Sequence, residues 1–101
     1  MSTPAVVVSF KAKQGEGSEV VRLITAVLPH IEREEGTPLW LVLRSNADPD
    51  TVFLVDIFRD VASRDIHMSG EAAKQVLATV PPLLAEEPRI HPADLIVQKG
   101  V

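Results

Sequence analysis

The chain of 101 residues contains no cysteine and no tyrosine, and one tryptophan and three phenylalanines make up its large aromatic residues. Without cysteine it forms no disulfide framework, thiolate zinc site or cysteine-ligated iron–sulfur cluster, and it has no cysteine nucleophile. Basic residues are also few: 10 against 14 acidic residues give a net charge of −4. No basic stripe is present to meet phosphates, so we expect no nucleic-acid partner.

Long apolar runs are absent as well. No run approaches the roughly 20 residues that span a bilayer, and we expect no signal peptide, because the first residues lack a basic segment followed by an apolar stretch. Hydrophobic residues nevertheless make up 46% of the chain, which excludes a disordered protein. The length corresponds to a single domain over residues 1–101. We expect this domain to be cytoplasmic, with no membrane partner.

The spacing of apolar residues predicts the order βαββαβ. The first segment alternates apolar and polar residues, three further segments are rich in apolar residues, and two regions between the strands repeat at helical spacing. Pro29 predicts a kink in the first helical region, Gly70 interrupts the second, and Pro92 predicts an irregular, edge-like start for the last strand. We place the strands at residues 5–13, 38–45, 51–59 and 90–99, the last centred on 95–97, and the helices at 19–36, 61–68 and 71–84.

This order predicts an α+β, ferredoxin-like fold, with a four-stranded antiparallel sheet and two helices on one face. The third strand is apolar on both faces, so Phe53, Val55 and Ile57 would lie on the side that the helices leave open. Exposed apolar patches of this kind usually mark interfaces. We therefore expect a homodimer in which two sheets pack face to face. The alternative is a monomer whose C-terminal segment covers that face.

Several pieces of sequence, in this order, resemble a known family. They are FKAKQG at residues 10–15, EEGTP at 34–38, and Phe58, which is followed nine residues later by His67 and then by Ser69. Together they are similar to the antibiotic biosynthesis monooxygenase (ABM) domain family, a group of dimeric α+β barrels. The resemblance covers roughly residues 6–97.

The resemblance implies three kinds of relative. Some members insert oxygen into polyketide anthrones or quinols without metal or flavin, some cleave haem, and others have no demonstrated activity. Anthrone-oxidising members use an asparagine, a tryptophan and a tyrosine, and haem-cleaving members use an asparagine, a tryptophan and a histidine ligand. The matching positions hold Leu54, Phe58 and Arg64 for the first set and Val8, His67 and Leu77 for the second. Because the haem ligand is missing, we do not expect haem degradation.

Asp56 is the candidate catalytic base. In the family the pocket lies between the sheet and the helices, and that face of the third strand would carry Leu54, Asp56 and Phe58. A carboxylate buried there without a partner would cost several kcal/mol or stay protonated. As a general base it would accept a proton from a phenol or enol. The alternatives are an ion pair with Arg44 or Arg59, or simple exposure to solvent.

The remaining candidates would surround that base. His67 is the candidate proton shuttle, or else it fills a break in its helix. Trp40 and Phe58 could stack on a flat ligand, or serve only in core or dimer packing. Arg44 could hold an anionic substrate oxygen, or lie at the surface. With Leu54 lining the same pocket, these side chains form the predicted substrate-binding set.

We expect no metal site and no cofactor. The three histidines are scattered without metal-ligand spacing, and the acidic cluster at residues 32–35 is typical of a solvated helix end. The first functional hypothesis is a cofactor-independent monooxygenase-like protein that acts on a small aromatic, polyketide or quinol-like substrate. The alternatives are a non-catalytic, small-ligand-binding or accessory dimeric barrel, and a non-oxidative isomerase or cyclase. Catalysis requires Asp56 and His67 to face one cavity, whereas binding alone does not.

Overall fold

The computed structural model describes residues 2–100 and confirms the α+β fold. Both predicted helical regions are present, and each is divided in two. The strands are β1 (Thr3–Lys11), β2 (Leu39–Arg44), β3 (Thr51–Ile57) and β4 (Arg89–Leu95); the helices are α1 (Gly17–Thr25), α2 (Leu28–Glu32), α3 (Val61–Met68) and α4 (Glu71–Thr79), followed by a 3₁₀ turn at Pro81–Leu83.

The four strands form one antiparallel sheet in the order β2-β3-β1-β4. Alternate side chains of the two central strands are buried under the helices, because successive side chains of a strand point to opposite faces of the sheet. Val20 and Ile24 of α1 and Phe58, just after β3, are fully buried in the same core. The buried members on the strands are Val6, Val8 and Phe10 of β1 and Val52 and Leu54 of β3.

The first helical region divides before its proline. The chain leaves α1 after Thr25 and begins α2 at Leu28, so Pro29 lies in the first turn of a new helix. A proline costs little there because the first-turn N–H groups have no partner inside the helix. The predicted helix end at Gly36 is wrong, since α2 ends at Glu32. Residues 33–38 form a loop, which we call the α2–β2 loop.

The fourth strand is correct in existence and wrong in position. It ends at Leu95, which pairs with Thr3 at the start of β1, and no described residue of β1 precedes Thr3 to continue the pairing. The predicted centre at 95–97 therefore lies at and beyond the strand end, where Ile96 and Val97 are 89% and 84% exposed. Pro92 lies mid-strand, opposite Val6. An edge strand tolerates it because one side of its backbone has no ladder partner.

The face of the sheet away from the helices remains partly apolar and open. Leu41 and Leu43 of β2 are 43% and 49% exposed, and Phe53 and Val55 of β3 are half-buried. The described C-terminal residues therefore leave the β2 part of this face uncovered. Within residues 2–100, no helix has both the length and the apolar character needed to cross a membrane.

Candidate functional site

A small cavity lies between the sheet and the helices. Its volume is about 100 Å³, and its lining comes from the helix-facing side of the sheet and from α2, α3 and α4. Every lining residue is apolar except Asp56 and His67. At its rim Met68, Leu77 and Ile90 are 44%, 63% and 48% exposed. The cavity therefore places two titratable side chains in an otherwise apolar pocket that reaches the protein surface.

The strand alternation places Asp56 inside this pocket. Val52, Leu54 and Asp56 follow each other on the helix-facing side of β3, and Asp56 is only 1% exposed. Its neighbours in the sheet are Val6 on β1 and Trp40 on β2. Trp40 pairs with Asp56 across the hairpin that β2 and β3 form. A carboxylate thus lies in the middle of the sheet with strands on both sides.

His67 reaches Asp56 from the opposite layer. Asp60 begins α3 as its N-cap, since its side chain accepts a hydrogen bond from Ser63 N at 2.8 Å. The hydroxyl of Ser63, and then this backbone hydrogen bond, lower the pKa of Asp60. Ser63 and His67 are four residues apart and form the buried side of α3. The Nε2 atom of His67 lies 3.1 Å from Oδ2 of Asp56. The ring also packs on Phe58, with centroids 5.1 Å apart.

The second nitrogen of His67 contacts a residue that the sequence did not identify. Its Nδ1 lies 2.6 Å from Oε1 of Glu34 in the α2–β2 loop, and Thr37 Oγ1 donates to the same oxygen at 2.9 Å. The interpretation of residues 32–35 as a solvated helix end is wrong for Glu34, whose side chain is only 14% exposed. The sequence signals that could have identified Glu34 are Thr37, three residues later, and the intervening Gly36.

Two carboxylates control the protonation of His67. Burial alone lowers the pKa of the imidazole and is the largest single effect. The hydrogen bonds with Asp56 and then with Glu34 act in the opposite direction, and together they raise the pKa above its ordinary value of 6.5. The site therefore favours the imidazolium form, in which both ring nitrogens donate to a carboxylate oxygen.

The other oxygen of Asp56 has no partner. Among residues 2–100, Oδ1 of Asp56 is buried and receives no hydrogen bond, although Oδ2 is held by His67. An unsatisfied buried acceptor costs about 1–3 kcal/mol, so it calls for an explanation. Asp56 is one of the residues that line the cavity, so this unpartnered oxygen belongs to a side chain of the cavity wall.

The predicted substrate-binding residues separate into three groups. Trp40 and Leu54 line the cavity. Phe58 does not line the cavity: it is fully buried, and its ring packs against His67. Arg44 does not line the cavity either, because it is exposed and its Nε donates to the carbonyl of Pro49 at 2.7 Å.

The alternative partners for Asp56 are not observed. Arg44 bonds to Pro49 in the loop between β2 and β3, and Nε of Arg59 lies 3.8 Å from Oδ2 of Asp60. The imidazole of His67 is the charged partner instead. In the part of the chain that the structure describes, no group of three or more histidine, aspartate or glutamate side chains has a geometry suited to a metal ion.

These features define a class: a ferredoxin-like α+β domain with a carboxylate–imidazole–carboxylate array beside an apolar cavity. The family model described as "Antibiotic biosynthesis monooxygenase" (ABM) matches residues 4–79. The chain belongs to this family. The match runs from the second residue of β1 to the end of α4 and thus includes the whole array.

Solved structures confirm the fold. The NE2512 protein of unknown function from Nitrosomonas europaea is 30% identical, with a TM-score of 0.88 over 100% of this chain and 96% of that one. The protein SO0527 from Shewanella oneidensis is 24% identical, with a TM-score of 0.84 over 93% and 91% of the two chains. A protein described as an antibiotic biosynthesis monooxygenase is 15% identical, with a TM-score of 0.81 over 93% and 99%. No functionally curated protein matches the chain.

Proposed function

We propose that this protein is a cofactor-independent monooxygenase for a small aromatic, polyketide or quinol-like compound, with Asp56 as the base and His67 as the proton donor. The observation that carries this proposal is the unpartnered Oδ1 of Asp56 beside an apolar cavity, with His67 held on Oδ2. Membership of the family and a similar protein described as a monooxygenase support it. A binding protein would tolerate exposure of these groups, whereas here Asp56 and His67 are 1% and 6% exposed.

The chemistry needs only a base, a proton donor and molecular oxygen. Oδ1 of Asp56 accepts a proton from the substrate, leaving a carbanion or phenolate. That anion transfers one electron to oxygen, and the substrate radical and superoxide combine to form a C–O bond. The peroxide then receives a proton from the Asp56–His67 pair. Loss of water leaves a carbonyl, so one CH₂ group and one O₂ become C=O and H₂O.

The apolar walls suit this sequence of steps. A dry pocket prevents water from protonating the carbanion, and it strengthens every electrostatic interaction inside. A volume of about 100 Å³ is smaller than the roughly 150 Å³ that holds benzene in a protein interior. The reacting ring therefore enters only partly, and the rest of the substrate extends across the exposed rim at Met68, Leu77 and Ile90.

Oxygen uptake tests the proposal directly. Protein freed of metal and flavin is supplied with a panel of anthrones and hydroquinones, and the same assay is run with Asp56→Asn and His67→Gln. Asp65→Asn, which changes an exposed carboxylate on the same helix as His67, is the matched control. We expect uptake that falls by about 10²-fold or more in the two site variants and not in the control. Equal uptake in all four proteins would remove Asp56 and His67 from the mechanism.

Non-oxidative proton transfer is the second candidate function. It is favoured by one feature: a base and a proton donor on adjacent atoms can isomerise or cyclise a substrate without oxygen. The two functions differ under nitrogen in D₂O. An isomerase or cyclase would form product and incorporate deuterium there, whereas an oxygenase would exchange the acidic proton without forming product. Saturable binding without exchange or product would indicate a ligand-binding or accessory domain.

We also propose that the chain forms a homodimer through the open face of its sheet. The exposed Leu41 and Leu43 and the half-buried Phe53 and Val55 support this interface, because apolar patches on one side of a sheet rarely remain in water. Sedimentation equilibrium at micromolar concentration should give twice the chain mass of 11.0 kDa. Leu43→Lys should shift the mass toward the monomer, and a monomeric unaltered protein would contradict the proposal.

A further inference from the structure

Three contacts hold Glu34 in place although it lies in a loop. The carbonyl of Gly36 accepts a hydrogen bond from Arg59 N at 2.9 Å, which ties the α2–β2 loop to the segment after β3. Thr37 Oγ1 donates to Glu34 Oε1, and the loop packs against Ser63 on α3. The carboxylate therefore has a fixed position, and its partner His67 lies one helical turn along α3 from Ser63.

The position of this carboxylate decides how the imidazole is oriented. The charged groups that act on His67 are Asp56 from β3 and Glu34 from the α2–β2 loop. Each takes one ring nitrogen, Glu34 at Nδ1 and Asp56 at Nε2. With both carboxylates ionised, only the imidazolium satisfies both contacts, because each nitrogen must donate. A hydrogen bond at one ring nitrogen of a histidine determines whether the other nitrogen is a donor or an acceptor.

We propose that Glu34 is a positioning residue of the site: its carboxylate holds the His67 ring so that Nε2 donates a hydrogen bond to Oδ2 of Asp56. Oδ1 of Asp56 then remains as the acceptor for substrate. Glu34 does not line the cavity, so it acts through His67 rather than on a bound molecule. Its effect on turnover rests on the proposed function. Its effect on the imidazole does not, and the two can be measured separately.

The first measurement needs no substrate. Histidine ring resonances are followed by NMR as a function of pH in the unaltered protein, in Glu34→Gln and in Glu35→Gln. Glutamine keeps the size of Glu34 and removes its charge, and Glu35 is an exposed glutamate one residue away. We expect the His67 midpoint to fall in Glu34→Gln and to stay unchanged in Glu35→Gln. A folded Glu34→Gln protein with the unaltered midpoint would overturn the proposal.

A second measurement decides the matter if Glu34→Gln fails to fold. In the unaltered protein, at a pH just below the His67 midpoint, both ring N–H protons of His67 should exchange slowly with water, because a carboxylate oxygen holds each nitrogen. A fast-exchanging Nδ1–H beside a slow Nε2–H would show that Glu34 does not hold the ring, and would overturn the assignment.

The kinetic effect follows once a substrate is known. We expect Glu34→Gln to lower kcat by about 10–100-fold, the range found when a group that orients a metal-bound histidine is removed, with KM nearly unchanged. The high-pH limb of the profile should move to lower pH, because the imidazolium loses its proton earlier. Unchanged kinetics together with the expected NMR shift would leave Glu34 as the orienting group and refute the role of His67 in turnover.

Discussion

Gly36 and Ser63 are in direct contact, and no side chain fits between them. A Cβ placed on Gly36 would overlap both the Cβ and the Oγ of Ser63, while its distance to the Ser63 Cα would be 3.4 Å. Gly36 does not have a positive φ, so space rather than backbone strain excludes other residues. This contact seats the α2–β2 loop on α3 and brings Glu34 to His67.

Gly36→Ala should therefore destabilise the protein by about 1–3 kcal/mol, the usual cost of overfilling a packed contact. Ser63→Gly should relieve the overlap, because it removes both overlapping atoms. Ser63→Ala should not, because it keeps the Cβ. Urea denaturation of the single and double variants gives the coupling free energy.

The double-mutant design separates the overlap from the helix. Ser63→Gly alone should cost up to about 1 kcal/mol, since glycine is unfavourable inside a helix. The prediction concerns the coupling: Gly36→Ala should cost less when residue 63 is glycine than when it is serine or alanine. Equal costs in all three backgrounds would mean that the loop moves away without loss.

Stability should fall as the pH rises above neutrality, and His67 should be the cause. The pKa of His67 is raised above 6.5 in the folded protein, because the hydrogen bonds to Asp56 and Glu34 outweigh burial. The folded state then holds this proton more tightly than the unfolded chain. The resulting stabilisation is full below about pH 6.5 and is lost as the pH rises through the folded pKa.

Urea denaturation from about pH 6 to about pH 9 checks this sign. The difference in unfolding free energy between the unaltered protein and His67→Gln should shrink across that range. His91→Gln, which changes an exposed histidine on β4, is the matched control. A difference that grows with pH would mean that the folded protein binds this proton less tightly than the unfolded chain.

Ligand binding in the cavity should change the fluorescence of Trp40. Trp40 is the only tryptophan of the chain, and it lines the cavity. A neutral phenol should quench it saturably. Ala73→Leu fills space from the cavity wall and should weaken the effect, whereas Ala78→Leu, on an exposed position of the same helix, should not. Quenching that is linear in phenol concentration and identical in all three proteins would indicate collisions only.

Phe58 should contribute to the stability of the fold rather than to ligand binding. It is fully buried and packs on His67 without lining the cavity. Phe58→Ala should cost about 3–5 kcal/mol of unfolding free energy. Phe58→Leu, which keeps much of the volume, should cost less than about 1.5 kcal/mol. A cost below about 1 kcal/mol for alanine, close to that of a surface substitution, would contradict this packing role.

The sequence contains the information for the sheet because alternation is local. Val6, Val8 and Phe10 alternate with less buried residues, and the same period of two places Asp56 on the inner side of β3. The short hairpin then fixes Trp40 opposite Asp56. These features could be predicted because each depends on residues that are close together in the chain.

The remaining parts of the site depend on distant contacts. Glu34 lies among other acidic residues, and its role depends on a contact with His67, 33 positions away in the chain. The place of Arg44 in β2 predicts a position at the pocket, but it lies at the strand end, where its guanidinium donates a hydrogen bond to the carbonyl of Pro49. The end of β4 also depends on a distant contact. Its pairing stops at Leu95, opposite Thr3 at the start of β1, although residues 95–97 are all apolar.

The three members of the array belong to parts of the chain that differ in how securely they are held. Asp56 lies in β3, whose backbone is hydrogen-bonded to β1 on one side and β2 on the other. His67 lies on an eight-residue helix, and Glu34 lies in a loop. Helices this short are marginal without their packing. Native-state hydrogen exchange should therefore find α3 opening at a lower free energy than β3. Gentle heating would then unfold α3 and remove His67 from the site, while the sheet that carries Asp56 stays folded.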